Sequence, residues 1–236
     1  MKIAIMQPYL FPYIGYFQLV AAADLFVLYD DVNYIKKGWI NRNRILLQGA
    51  EHVFTLPCLD VSQNKLINEV LVDWSSKELR KVRTTLETAY RKAPFFEQVY
   101  PLVQSLLELS GPATIAEVAA QSIRAVCAYL GINTPLVTSS QRPYRNTHLS
   151  KGARLVDIVQ QEGGDQYLNA IGGEALYTKD FFAQHDIALH FVKPLPIQYA
   201  QPLPDKEFVP WLSIIDVLMN NKKEDITTFL LAYQLL

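Results

Sequence analysis

Cysteine is scarce in this chain, with two among 236 residues, Cys58 and Cys127, far apart and each in apolar surroundings. Neither belongs to a Cys-x-x-Cys pair or to Cys/His metal spacing. A structural zinc site needs about four ligands, so no metal site is expected, and two distant cysteines make no disulfide scaffold. Both read as buried free thiols in a reducing compartment. An excess of charge is missing as well: 22 Lys+Arg stand against 23 Asp+Glu, for a net charge of −1. General nucleic-acid binding rests on phosphate neutralisation and is therefore not expected, although local basic patches remain open. Long apolar runs are absent too. The run Lys2–Met6 stops at Gln7-Pro8, short of the ~7–15 residues of a signal-peptide core and the ~20 of a membrane span. A cytoplasmic protein with no membrane span is the expectation. The chain has no Gly-x-Gly-x-x-Gly, P-loop, Gly-x-Ser-x-Gly or His-Glu-x-x-His. That argues against the commonest serine-hydrolase and zinc-protease sites.

What is present suits a soluble globular chain with a sizeable core: 50% of residues are apolar and 19% charged. Residues 2–6 and 25–30 read as strands, with Gly15–Ala23 a short helix between them. Strand, helix, strand at this spacing is a βαβ unit whose strands lie parallel. Ligands of open parallel sheets bind outside the carboxyl ends of the strands. Gln7–Tyr13 and Asp30–Tyr34 therefore belong to one rim. Ile45–Leu47, His52–Leu56 and Leu66–Val72 read as strands of an antiparallel excursion.

From Ser75 the apolar period becomes helical. Three helices fill residues 75–130, the first capped by Ser75 or Ser76 and the last closed by Gly131. Strand-like and helical segments then alternate: Pro135–Ser140, helix Lys151–Gln161, Gln166–Ala170, helix Thr178–His185, and Ile187–Val192. Residues 194–210 carry prolines at 194, 196, 202, 204 and 210 and read as loop. Trp211–Met219 and Asp225–Leu235 read as closing helices. The expected fold is α/β: a Rossmann-like, mainly parallel sheet in a single domain 1–236, with a helical insertion at about 75–130 and C-terminal helices.

The chemistry-bearing residues cluster at the expected rim. Asp30 and Asp31 are adjacent, so on a strand they point to opposite faces; one can act as a base, or both can cap the turn. Lys36, Lys37, Arg42 and Arg44 are interleaved with Trp39, Asn41 and Asn43. Guanidinium groups suit a phosphate or carboxylate, and an indole stacks on a base or sugar; the same pattern also fits a solvated edge strand. Gln7, Tyr9 and Tyr13 sit in a loop where their polar ends can meet a ligand, while neighbouring aromatics fit a core. His148 precedes the helix at Lys151 inside Thr-His-Leu-Ser-Lys-Gly. It is a candidate base and Lys151 a candidate phosphate contact, the helix's amide end favouring an anion. Gly172-Gly173 follows a strand and allows close approach of backbone to ligand.

The block QPYLFPYIGYFQLVAAADLFVLYDDVNYIKKGWINRNRI closely resembles the opening of the WbqC-like protein family. Later blocks agree: Leu56-Pro57, YRKAPFF from Tyr90, RLVDIVQQEGGDQYL from Arg154, and WLSIIDVLMNN from Trp211. The family occurs among bacterial surface-polysaccharide (O-antigen) gene sets. The resemblance implies acyl or aminoacyl transfer, glycyl included, to the amine of a nucleotide-linked amino sugar. The donor would be a carrier protein or CoA, and no cofactor would be required. Asp31 or His148 would take the proton; Gln7, Tyr9 and Asn169 would position the amine. Lys36, Arg42 and Arg44 would hold phosphate or a carrier's phosphopantetheine beside Trp39, with Tyr13, Asp30, Asn41, Lys151, Arg154, Gly172 and Gly173 completing the substrate site. One departure is visible: the family's Ser-Gly-Pro-like turn is replaced by Asn169-Ala170-Ile171-Gly172-Gly173.

A second likeness concerns Tyr13-Ile14-Gly15-Tyr16 after the proline-rich turn, which is reminiscent of the HIGH-type nucleotidyl-transfer fold with both histidines replaced by tyrosine. It implies an alternative, an ATP- and magnesium-dependent amide ligase. A non-catalytic sugar-nucleotide binder is the third reading.

Overall fold

Apolar runs bounded by turn residues assemble here into one sheet with helices on both faces, as described by a computed structural model covering residues 1–109, 111–149, 151–202 and 207–236. Ser150 and Pro204, named above, lie outside the described residues. The first βαβ unit is β1 (Lys2–Met6), α1 (Ile14–Ala22) and β2 (Leu25–Leu28), with β1 and β2 parallel and Ile3 opposite Leu25. Then come β3 (Arg42–Leu47) and β4 (Ala50–Thr55), an antiparallel hairpin outside the main sheet. Three helices follow: α2 (Lys77–Tyr90), α3 (Phe96–Leu107) and α4 (Ile115–Leu130). The chain returns through β5 (Leu136–Thr138), α5 (Lys151–Gln161), β6 (Gln166–Ala170), α6 (Lys179–Ala183) and β7 (Ala188–Pro194). It closes with α7 (Ile214–Asn220), α8 (Lys223–Leu230) and β8 (Tyr233–Leu235).

The sheet order is β5-β2-β1-β6-β7-β8, parallel except for β8. Order reverses between β1 and β6, so the topological switch of a Rossmann-like sheet lies there. Alternation along β1 and β2 separates the two cores. Ala4, Phe26 and Leu28 join the larger one with α1, α4, α7, α8 and the α2–α3 pair. Ile3, Ile5, Leu25 and Val27 join the smaller one with α5 and Phe182 of α6. Strands buried on both faces are what near-continuous apolar runs produce.

Three expectations need correction. Leu66–Val72 is not a ladder strand: Ile67–Glu69 form a 3-10 turn, and only single bridges flank it. The cause is local, because the Glu69 carboxylate accepts the Leu66 amide at 2.7 Å and closes the turn. Helix α7 starts at Ile214 rather than Trp211, since Trp211 is left-handed (φ 61°) and Ser213 is the N-cap, accepting from the Ile215 amide. The last helix ends at Leu230, and Tyr233–Leu235 pairs antiparallel with β7, covering an edge that would otherwise expose unpaired backbone. Cys127 is buried and Cys58 half-buried; burial pushes both thiols up to about 12, so both stay protonated.

Candidate functional site

The loop from β1 to α1 fixes the geometry of the rim. Phe11, fully buried, adopts a left-handed backbone (φ 42°), a conformation that costs a bulky residue about 1–3 kcal/mol and persists only when its surroundings impose it. Three buried polar side chains impose it here. Ser122 of α4 accepts the Phe11 amide at 3.0 Å. Asn43 of β3 donates to the carbonyls of Leu10 (3.0 Å) and Phe11 (2.7 Å). Ser213 donates to the Phe11 carbonyl at 2.7 Å. The loop is held by a helix, the hairpin and the C-terminal segment together.

Beyond β2 the chain no longer alternates, and both aspartates turn to the same side. The Ser139 hydroxyl contacts Oδ1 of Asp30 (2.9 Å) and Oδ1 of Asp31 (2.5 Å). This corrects the expectation of opposite faces: the strand has ended at Leu28. Asp30 is closed off further by the Ser140 amide (2.9 Å) and hydroxyl (2.7 Å). Asp31 pairs instead with the buried Arg154 of α5, whose guanidinium donates to its Oδ2 and, at 3.0 Å, to its backbone carbonyl. Nε of Arg154 donates to Asn146 at 2.9 Å, and the guanidinium lies 4.8 Å from the Tyr29 ring centre. Burial pushes the Tyr29 phenol up to about 12 against the pull of Arg154. Asp31 is thus an oriented carboxylate with both oxygens engaged.

A separate cavity of about 320 Å³ opens between this loop and the hairpin, walled by Tyr9, Pro12, Tyr13, Trp39, Arg44 and Trp211. The Tyr13 ring lies over Gly15, where a Cβ would come within 2.3 Å of it, and meets Trp211 edge-on at 5.8 Å. Arg44 bonds Glu51 at 2.8 Å and the Trp211 carbonyl at 3.0 Å, and its guanidinium lies 5.2 Å from the Trp39 ring centre. Its Nε is buried without a partner among the described residues. An apolar cavity of about 380 Å³, reaching Pro194 at the end of β7, shares the Tyr13–Trp211 wall.

The structure brings Asp30, Asp31 and Arg154 together, and Tyr9, Tyr13, Trp39 and Arg44 together. Arg42 also stands at Trp39, its guanidinium 5.4 Å from the ring centre, whereas Asn41 and Lys36 do not line the cavity. Arg42 donates to the carbonyls of Gly38 and Lys37 in its own turn. Asn41 is buried, accepting from Tyr34 at 2.7 Å and donating to the Leu56 carbonyl at 2.8 Å. Lys36 is exposed. His148 is exposed in a turn anchored through Asn146, and its imidazole has no hydrogen-bond partner among the described residues. Lys151 is exposed and left-handed (φ 42°).

Asn169, at the end of β6, is buried and bonds the Ala170 amide; a Cβ on Gly173 would meet its amide nitrogen at 2.3 Å, whereas Gly172 faces open space. Gln7 is half-buried, and its carbonyl accepts from the Tyr16 hydroxyl at 3.0 Å. Of the two tyrosines at the HIGH-like positions, only Tyr13 lines a cavity; Tyr16 is buried in the core. Sequence reasoning passed over Tyr29, Ser139, Asn146 and Trp211. Trp211, an indole directly after Pro210 in a proline-rich stretch, carried the one available signal. Among the described residues no group of three or more His, Cys, Asp or Glu could hold a metal ion, and no helix is long and apolar enough to cross a membrane.

Comparison with known proteins agrees with the sequence motifs. The model of the family described as the WbqC-like protein family matches residues 7–228. The chain is 27% identical over 227 residues, 93% of each chain, to a protein of Mycobacterium tuberculosis (strain ATCC 25618 / H37Rv) described as uncharacterized protein Rv1507c. No solved structure matches.

Proposed function

Because the chain belongs to the WbqC-like protein family, we propose that it transfers an acyl or aminoacyl group, glycyl included, to the amine of a nucleotide-linked amino sugar in surface-polysaccharide synthesis. The observation that supports this most is the oriented Asp31–Arg154 pair at the carboxyl rim of a parallel sheet. In this reading the amino sugar lies across the ends of β1, β2 and β6, near Gln7 and Asn169. Asp31, its oxygens occupied by Ser139 and Arg154, supplies a fixed negative charge that orients the amine. His148, exposed on the loop leading into α5, takes the proton. The amine nitrogen attacks the carbonyl carbon of a thioester carried by CoA or a carrier protein. The C–N bond forms, the C–S bond breaks, and the amine proton passes through His148 to the leaving thiolate.

Mass spectrometry of products tests the reading, with nucleotide-linked amino sugars offered an acyl or aminoacyl thioester, with and without ATP. The expected result is a product heavier by one acyl group that forms without ATP. His148→Ala should lower kcat by about 10²–10⁴-fold while substrate still binds. A mass gain that requires ATP would replace thioester transfer by ATP-dependent ligation. No gain under any condition would leave a binding protein.

A further inference from the structure

The cavity beside the β1–α1 loop has a composition that discriminates among ligands. Its walls are flat rings, and two of them stay open: Trp39 is 38% and Trp211 53% exposed. Large apolar faces left in water at the mouth of a cavity are what a stacking ligand covers. The polar groups available inside include two phenol hydroxyls, each able to donate. Among the described residues neither the Tyr9 nor the Tyr13 hydroxyl has a hydrogen-bond partner, and burial pushes both phenols up from 10.0, so both keep their protons. Arg44 lines the same wall, its guanidinium held in place by Glu51 and the Trp211 carbonyl. No carboxylate lines the cavity among the described residues, and the nearby Glu51 is closed by its pairing with Arg44. A donor-rich slot between aromatic walls fits a planar ring whose edge carries acceptors.

We propose that this cavity binds a pyrimidine dione, the uracil or thymine base of a nucleotide, stacked against Trp39 and Trp211 with its carbonyls facing Tyr9, Tyr13 and Arg44. At about 320 Å³ the cavity stands at the lower end of the ~300–1,000 Å³ typical of small-molecule sites. That size suits a base with its ribose and leaves the rest of a nucleotide-linked sugar outside. Lys36 and Lys37, exposed on the turn that carries Trp39, meet the phosphates. The assignment deepens the proposed function by naming the class of nucleotide, and it rests on that reading only for the sugar attached.

Two of the three tryptophans line the cavity, so intrinsic fluorescence reports binding directly. UMP and dTMP should quench it saturably, AMP more weakly, and an amino-sugar 1-phosphate, which has no base, least of all. Trp39→Ala should weaken UMP about 5- to 150-fold, the range of base–aromatic stacking. Tyr9→Phe keeps the ring and removes only a donor, and should weaken UMP about 2- to 10-fold. Absence of quenching by both pyrimidine nucleotides overturns the assignment. So does equal binding of AMP or of the amino-sugar 1-phosphate, or UMP affinity unchanged in both variants. Saturable UMP binding without acyl transfer supports this assignment while removing the transferase reading. Acyl transfer that persists without any UMP binding does the reverse.

Discussion

Arg154 is a cation in the smaller core's border, and its partners come from two segments: Tyr29 and Asp31 directly after β2, and Asn146 before α5. Its side chain is 7% exposed and that of Asp31 13%. Arg154→Met would leave Asp31 charged and poorly solvated, a change expected to destabilise the fold by about 3–5 kcal/mol. Asp31→Asn in the same chain removes the stranded charge, so the double variant should regain part of that loss in urea unfolding. Equal losses in the single and double variants would show that the pair is not coupled. Asp216 presents the opposite case. It is fully buried, and burial raises its pKa above the ordinary 3.8 despite hydrogen bonds from Tyr199, Tyr90 and Gln201. A raised carboxyl stabilises the fold most below 3.8 and loses that contribution as pH rises through the folded-state value. Asp216→Asn is neutral throughout, so its stability relative to the parent chain should climb with pH across that window and then level off. Unfolding midpoints measured at a series of pH values test the sign. Neither partnership was legible in the sequence. Asp31 and Arg154 stand 123 positions apart and Tyr90 and Asp216 stand 126 apart, so no local spacing connects them.

Most elements with a local cause were readable, the 3-10 turn closed by Glu69 being the exception. Ser76 caps α2, Thr114 and Glu117 form a capping box on α4, and Gly131 ends α4 in the left-handed region. Each is a side chain acting within a turn of its own position. The strand β8 and the 3-10 turn at Ile67–Glu69 were misread because their backbone partners come from distant chain or from one capping carboxylate. Helix α1 shows how one position can serve both an element and the site. Alanine is favoured over glycine inside a helix by up to about 1 kcal/mol. A Cβ at Gly15 would nevertheless stand 2.3 Å from the Tyr13 ring. That ring is the far end of a side chain and can swing away, so Gly15→Ala should leave the thermal midpoint near that of the parent chain. The swing would move Tyr13 off Trp211 and into the cavity, and UMP quenching should be lost. Retained quenching would mean that the cavity tolerates another Tyr13 rotamer.

At the scale of the whole molecule, the helical insertion expected at about 75–130 is present as α2–α4, but its side chains continue the core of the sheet. Leu79, Val82, Val103 and Ile123 belong to one buried cluster with Phe17, Phe26 and Leu28. Polar links follow the same route: Tyr90 donates to Asp216 of α7 at 2.8 Å, and the Phe11 amide to Ser122 of α4 at 3.0 Å. Through Ser122 the helices hold the left-handed Phe11 loop, so the rim's shape depends on the insertion being docked. Periodicity announced three helices, yet it carried no information about what their apolar faces would meet, because an amphipathic stripe reads the same against any partner. A shared core predicts one cooperative transition, with far-ultraviolet dichroism and tryptophan fluorescence tracing the same urea curve. A fragment covering residues 75–130 alone should remain largely unfolded, lacking the sheet that buries Leu79 and Ile123. Two separated transitions, with Trp39 and Trp211 reporting the later one, would instead make the helices an autonomous unit and release the nucleotide cavity from their control.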